Sequence, residues 1–294
     1  MPEIGNKIPK IDVDLIDETF DISQSENYHL SVQISHDELS FCVYNTIINK
    51  YICLRSYKLS SPVSGLDPDR GGLAFAQCKT IFEHDDILGL RYKSCKNLLV
   101  APRFTLVPEH LFDDTNDDLY LTFNHGTATD TQTFHNHVKP AKLFNVFSYP
   151  NDIEALLKTY QPNIQLYHHA TPIIGYAVTR YSTIMAVHYY SGNLDIMILK
   201  YGKLLFYNTF LIDAPEDAVY YLIVVANLFD IDLKTKKLIY AGNYESMPSE
   251  IAILNTYVES IVECEPSRAV IYSYHISEIN RKRFINLFNL YGCE

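Results

Sequence analysis

The sequence predicts an α/β protein built of two similar halves, each a mixed sheet flanked by helices. Three observations carry that expectation. Apolar residues alternate with period two through residues 29–59 and again through 183–212, the pattern of strand meanders. Each meander is followed by a helical stretch and then by a strand-turn-helix, at 98–109 and at 238–249, with Phe104 matched to Tyr244 and Pro108 to Pro248. Strands precede helices in both halves, which places helices on the faces of a mixed sheet. A repeat this long is a duplicated domain rather than a solenoid.

In chain order, residues 1–27 are polar and acidic and read as an arm that drapes over the body or stays mobile. Leu30, Val32 and Ile34, then Phe41, Val43 and Ile47, mark strands, with turns at Asp37-Glu38 and Asn49-Lys50. The Pro/Gly cluster at 61–72, with Gly71-Gly72, is a loop opening a helix that carries Phe75, Cys78, Ile81 and Phe82 on one face. The first half spans 28–180 and holds an insertion near 113–160, including a polar loop at 124–133. Then come a strand at 142–149, a helix at 151–160 capped by Asn151, a strand at 164–167 and a helix at 171–178. The second half, 181–294, continues with a helix at 215–229, a strand at 237–241 and a helix at 249–262. A strand at 269–274 and a helix at 277–290 complete it.

Composition narrows the function. With 24 basic against 35 acidic residues the net charge of -11 disfavours a nucleic-acid partner. The basic triplet Arg281-Lys282-Arg283 reads as the solvated face of a helix. No signal or anchor pattern is visible, and the longest apolar stretch, 219–229, is too short for a bilayer, so a cytoplasmic protein without a membrane span is expected. The six cysteines show no CxxC spacing and read as reduced core residues.

Three antiparallel strands, a helix, a strand, a helix, a strand and a helix, given twice, is the element order of the actin-like ATPase superfamily, whose two lobes are ribonuclease-H-like. Residues 143–160, 164–178 and 186–199 are similar to consecutive segments of the bacterial actin-like proteins FtsA and PilM. The Phe-Thr-Leu-Val-Pro-Glu run at 104–109 resembles a small bacterial family with a degenerate version of this fold. The resemblance implies a hairpin with Asp-x-Gly opening each lobe, the Asp serving metal or water and the Gly letting phosphate approach. Here those places hold Gln33-Ile34-Ser35 and His188-Tyr189-Tyr190. Ser191, Gly192, Asn193 and Gly242 are what remains of a cofactor-binding cleft.

Other groupings suggest less. A nuclease needs carboxylates on its first strand, and Asp37-Glu38 lies at a turn. His125, His135, His137 and His168-His169 are dense, yet half a metal site at most. Tyr220, Tyr221 and Phe229 read as the inner face of a helix. Neither a Gly-x-Ser-x-Gly elbow, a P-loop nor a Rossmann fingerprint is present. The expectation is a pseudo-ATPase with no catalytic residue, metal or cofactor, serving as a scaffold or regulator for an unknown protein partner. The competing expectation is an ATPase or sugar-kinase-like enzyme using ATP and magnesium. The single-copy insertion at 113–139 is the expected recognition element.

Overall fold

A computed structural model describes residues 8–59, 75–190, 192–242, 248–265, 270–279 and 281–293. The Gly71-Gly72 loop, Ser191 and Tyr244 lie outside these residues. The first half forms strands β1 (Lys10–Ile16), β2 (Tyr28–Ile34), β3 (Glu38–Asn45), β4 (Lys50–Lys58) and β5 (Ser94–Leu99), with helix α1 (Phe75–His84) before β5. An inserted unit follows: β6 (Phe104–Pro108), α2 (Asp117–His125), β7 (Thr131–Val138), β8 (Leu143–Pro150) and α3 (Asn151–Tyr160). Then come β9 (Ile164–His168) and α4 (Ala170–Arg180).

The second half comprises β10 (Ile184–Tyr190), β11 (Asn193–Lys200), β12 (Lys203–Leu211), α5 (Pro215–Leu228), β13 (Lys237–Gly242), α6 (Pro248–Leu254) and β14 (Ser260–Glu263). The chain ends with β15 (Ile271–Tyr272), α7 (Tyr274–Glu278) and α8 (Ile285–Leu290).

The first sheet runs β1-β4-β3-β2-β5-β9 and the second β12-β11-β10-β13-β14. Leaving β1 aside, both follow one plan: three antiparallel strands in reverse order, then two strands parallel to the first. Val32 and Val187 lie on the equivalent strands β2 and β10, and both face helices. Val32 belongs to one apolar cluster with Cys78, Ile81 and Phe82 of α1, and Val187 to another with Leu222 of α5 and Ile251 of α6. Leu98 and Leu238 also lie on equivalent strands but face opposite ways. Leu98 pairs with Gln33, one residue from Val32, whereas Leu238 pairs with Met185, two from Val187, and in a strand an odd offset turns a side chain over. Pro108 ends a strand while Pro248 opens a helix, so that match is not structural.

Several expectations are corrected. Of its two expected courses the acidic arm takes the one along the body, and it does so as a strand, β1, antiparallel to β4, where its carboxylates meet cations: Asp12 lies 2.9 Å from Lys58, Asp14 2.9 Å from Arg55 and Asp17 2.8 Å from Lys50. The polar stretch 124–133 is not a free loop. It holds the end of α2, a Gly126 turn with φ 70°, and the start of β7, and Arg103 donates to the His125 carbonyl at 2.9 Å. Pro150, not Asn151, sits at the N-cap of α3, with no side-chain cap bond. The expected helix at 249–262 stops at Leu254, and the β-branched Ile261 and Val262 form the fifth strand β14. Residues 271–272 instead pair with β4 of the first sheet.

The C-terminal segment therefore returns to the first sheet. Leu287 and Phe288 pack with Cys42, Tyr51 and Leu54, while Ile285 packs with Ala241 and Cys264 of the second half. On the other side α4 places Ile173, Ile174 and Ala177 in one cluster with Ala186, Met197 and Leu199. The two sheets are thus joined through α4 and α8, whose apolar burial is worth roughly 1.5–3 kcal/mol per large side chain. The basic triplet is engaged rather than solvated. Arg283 reaches Asp12 at 2.6 Å and also Glu38, Lys282 bonds Glu263, and Arg281 stacks 4.7 Å over the Tyr272 ring.

Candidate functional site

Strand pairing at the second meander builds a buried polar centre. In the β10–β11 ladder His188 stands directly opposite Asp195, and in the β11–β12 ladder Asp195 stands opposite Thr209, so all three project from one face. That face meets α4 and α8. His169, immediately before α4, brings Nε2 to 2.9 Å from Asp195 Oδ2, and His188 Nδ1 lies 3.0 Å from the same oxygen. Tyr207 donates to Oδ2 at 2.8 Å, Thr209 to Oδ1 at 2.6 Å and Tyr190 to Oδ1 at 3.3 Å. Five donors converge on one carboxylate that is 1% exposed.

The tautomers follow from the partners. From α8, Asn286 Nδ2 donates to His188 Nε2 at 3.1 Å, which leaves Nδ1 as the N–H pointing at Asp195. Burial by itself would push the Asp195 carboxyl up, but His169 and His188 outweigh it and hold the group far below the usual carboxylate range. Burial drives His169 downward, against the neighbouring carboxylate, which favours its charged form.

A second network adjoins the first. His168 Nε2 donates to the Ala101 carbonyl at 2.7 Å, and its Nδ1 accepts from Asn145 at 3.3 Å. Thr171 donates to Asn136 Oδ1 at 3.0 Å, and Asn136 Oδ1 also accepts the His168 backbone N–H at 3.1 Å. Consecutive histidines thus serve two directions: His168 ties the inserted unit to the first sheet, and His169 ties α4 to the second.

Three of the predicted cofactor positions, Gly192, Asn193 and Gly242, gather at one end of the second sheet. Gly192 forms the β10–β11 turn at φ 77°, and Asn193 opens β11 opposite Tyr190. Gly242 ends β13 opposite Tyr189 with φ 110°, and a Cβ there would stand 2.8 Å from the Tyr189 carbonyl oxygen. Close strand approach is reason enough for that glycine. The Tyr190 side chain is buried, with its hydroxyl turned inward to 3.3 Å from Asp195 Oδ1.

Beside the network lies a cavity of about 30 Å³, whose wall includes His188, Asp195, Tyr207, Ile285 and Asn286. It has room for one or two water molecules, whereas small-molecule sites span roughly 300–1,000 Å³.

Sequence reading passed over Asp195, His169 and Asn286 as a group. The available signal was a single carboxylate within the apolar run of β11, between Leu194 and Ile196. The other histidines do not converge. His135 bonds Asp117 at 2.6 Å, His137 lies 3.3 Å from Glu109, and His125 bonds the Phe104 carbonyl at 2.7 Å. Among the described residues, His169, His188 and Asp195 form the one group with ligand-capable atoms within 4.8 Å of one another. Each of those atoms is already engaged in a hydrogen bond, and among the described residues His169 Nδ1 has no hydrogen-bond partner of the kind that orients metal-bound imidazoles.

Two sheets of this shared strand order, joined through α4 and α8, define the actin-like ATPase fold. A Bacteroides thetaiotaomicron protein with actin-like ATPase fold and unknown function superposes with a TM-score of 0.79 at 22% identity, over 94% of this chain and 100% of that one. PilM, in the PilM-PilN type IV pilus biogenesis complex, gives a TM-score of 0.55 at 11% identity, over 89% of this chain and 97% of that one. Residues 17–261 match the family described as "Protein of unknown function (DUF3822)", and the chain belongs to that family. No curated protein matches it. No described helix is long and apolar enough to cross a membrane.

Proposed function

We propose that this chain is an actin-like-fold pseudo-ATPase that works in the cytoplasm as a non-enzymatic scaffold or regulator of another protein. The observation that carries this reading is the closed contact around Asp195. The face on which the fold's nucleotide machinery is expected is filled by His169, His188, Tyr190 and Tyr207, leaving about 30 Å³. A magnesium site needs oxygen ligands open to the ion, and the one carboxylate here is saturated by five protein donors. PilM, which shares the fold, occurs in a complex with PilN, and protein binding is carried here as an analogy from that case.

Calorimetric titration with Mg-ATP and a phosphate-release assay test the proposal. The expected result is neither binding in the micromolar range nor release above buffer. Micromolar binding weakened by Asn193→Ala, at the turn end of the hairpin, overturns it in favour of an ATP- and magnesium-dependent enzyme. Gly242 is unsuitable for that control, because any side chain there collides with Tyr189.

A further inference from the structure

Among the described residues, two sheets end in strands paired on one side only, and these face a common groove. β12 is the outermost strand of the second sheet and β6 the outermost strand of the inserted three-stranded sheet, ordered β6-β8-β7. Between them lies a groove of about 420 Å³ whose walls include Leu106, Pro108, Lys142, Leu143, Leu205 and Tyr207. An edge strand presents a row of N–H and C=O groups for another strand to pair with. Here Leu205 is 46% exposed, so β12 offers apolar surface as well as backbone.

We propose that this groove binds a single extended segment of a partner protein, added to the edge of β12, with apolar side chains at alternate positions and carboxylates between them. This deepens the protein-binding reading and rests on it. The extended form follows from the strand edges, since main-chain pairing supplies affinity and alternate side chains supply selectivity. The carboxylates follow from charge. Lys142 on the rim and Lys203 at the start of β12 are exposed cations on a chain whose net charge is -11, and the nearby Glu109 is turned to His137 at 3.3 Å.

A second copy of the chain fits less well. The groove has a wall on each side, so it admits one strand, whereas β12 of another molecule arrives with β11 beside it. The groove is also wired to the buried centre. Its lining residue Tyr207 packs on Phe104 with ring centroids 5.7 Å apart and donates to Asp195 at 2.8 Å. An occupant therefore bears on the same side chains that join the two halves.

Selection of a displayed random library of about twelve-residue peptides on the purified full-length chain tests the groove, followed by titration of the strongest synthetic binder and amide hydrogen exchange. Enriched sequences are expected to alternate apolar residues with Asp or Glu, and the bound peptide is expected to protect amides of β12 and β6. Leu205→Glu should weaken binding by about tenfold or more and Lys142→Glu by roughly threefold, with thermal midpoints unchanged because both side chains are exposed. Absence of enrichment, protection elsewhere, or affinity indifferent to Leu205→Glu overturns the proposal. A dimer in sedimentation that Leu205→Glu dissociates assigns the edge to a second copy and overturns it too. Peptide binding at another surface removes this groove while leaving the scaffold reading intact; Mg-ATP binding removes the scaffold reading whatever the peptides do.

Discussion

Asp195 shows how one residue governs several others. Its carboxylate terminates the hydrogen bonds of two histidines, two tyrosines and a threonine, so its removal leaves a set of buried donors unpaired. Asp195→Ala is expected to cost about 3–5 kcal/mol in urea unfolding, the range for breaking a buried charged contact by deleting one partner. A loss below about 0.5 kcal/mol would mean that the network carries no stability. Buried histidines give the chain a pH signature as well. Burial, assisted by Lys96, depresses His29 to about 3, and burial also depresses His168 and His169. Each binds a proton in the unfolded chain near pH 6.5 and resists it in the folded one, so stability declines as pH falls below about 6.5, by up to about 1.4 kcal/mol per pH unit for each such group. Asp195 adds a later loss: its depressed carboxyl stabilises the fold above its ordinary value of 3.8, and that contribution disappears as pH falls through the folded-state value. Denaturant melts between pH 7.5 and 4 should show a falling midpoint, and His29→Asn should flatten part of the slope. A flat profile in the parent chain would refute the neutral-histidine assignment.

At the scale of elements, the glycine at the end of β13 makes the sharpest test. Gly242→Ala places a methyl 2.8 Å from a backbone oxygen at φ 110°, and neither strand yields without losing ladder bonds, so destabilisation of more than about 1 kcal/mol is expected in chemical unfolding. A neutral result would indicate that β10 and β13 are farther apart than their register implies. The same strands show what sequence makes legible. Period-two alternation exposes β2, β3, β10 and β11 because one face of each carries the apolar side chains packed on helices, whereas the other face, also buried, carries polar ones such as Ser31, Ser40, His188 and Asp195. β14 is hidden: four residues with Val262 exposed carry too little pattern to interrupt a helical reading of the segment before them. β1 is hidden for another reason, since its order comes from ion pairs with Lys58, Arg55 and Arg283, partners that no local window contains. On α5 the expected inner face holds for Tyr221 and Phe229, which pack on the second core, but Tyr220 is 62% exposed, because the apolar residues of this helix extend beyond the stripe that meets the core. The Asp195 centre is the extreme case, because Asn286 and His188 stand 98 residues apart and nothing in either segment announces the other.

Across the whole molecule the two halves share elements that neither holds alone. The chain crosses from the first sheet to the second through α4 and returns through β15 and α8, and each crossing is packed on both sides. Ala186, Met197 and Leu199 of the second sheet belong to one apolar cluster with Leu30, Val32 and Ile174, so separating the halves exposes a face of each. Tyr190 likewise sits with Leu98, Tyr167 and Leu290, drawing residues of both sheets and the last helix into a single patch. Such sharing makes independent unfolding costly and predicts one cooperative calorimetric transition, with calorimetric and van't Hoff enthalpies in agreement. Leu287→Ala, on the returning helix, should lower that transition as a whole, by about 2–5 kcal/mol in chemical unfolding, rather than split it. Two resolved transitions in the parent chain, or a variant that loses stability only in the first half, would show that α8 serves one lobe. The duplication would then be mechanical as well as architectural, with a hinge where the Asp195 network now places a joint.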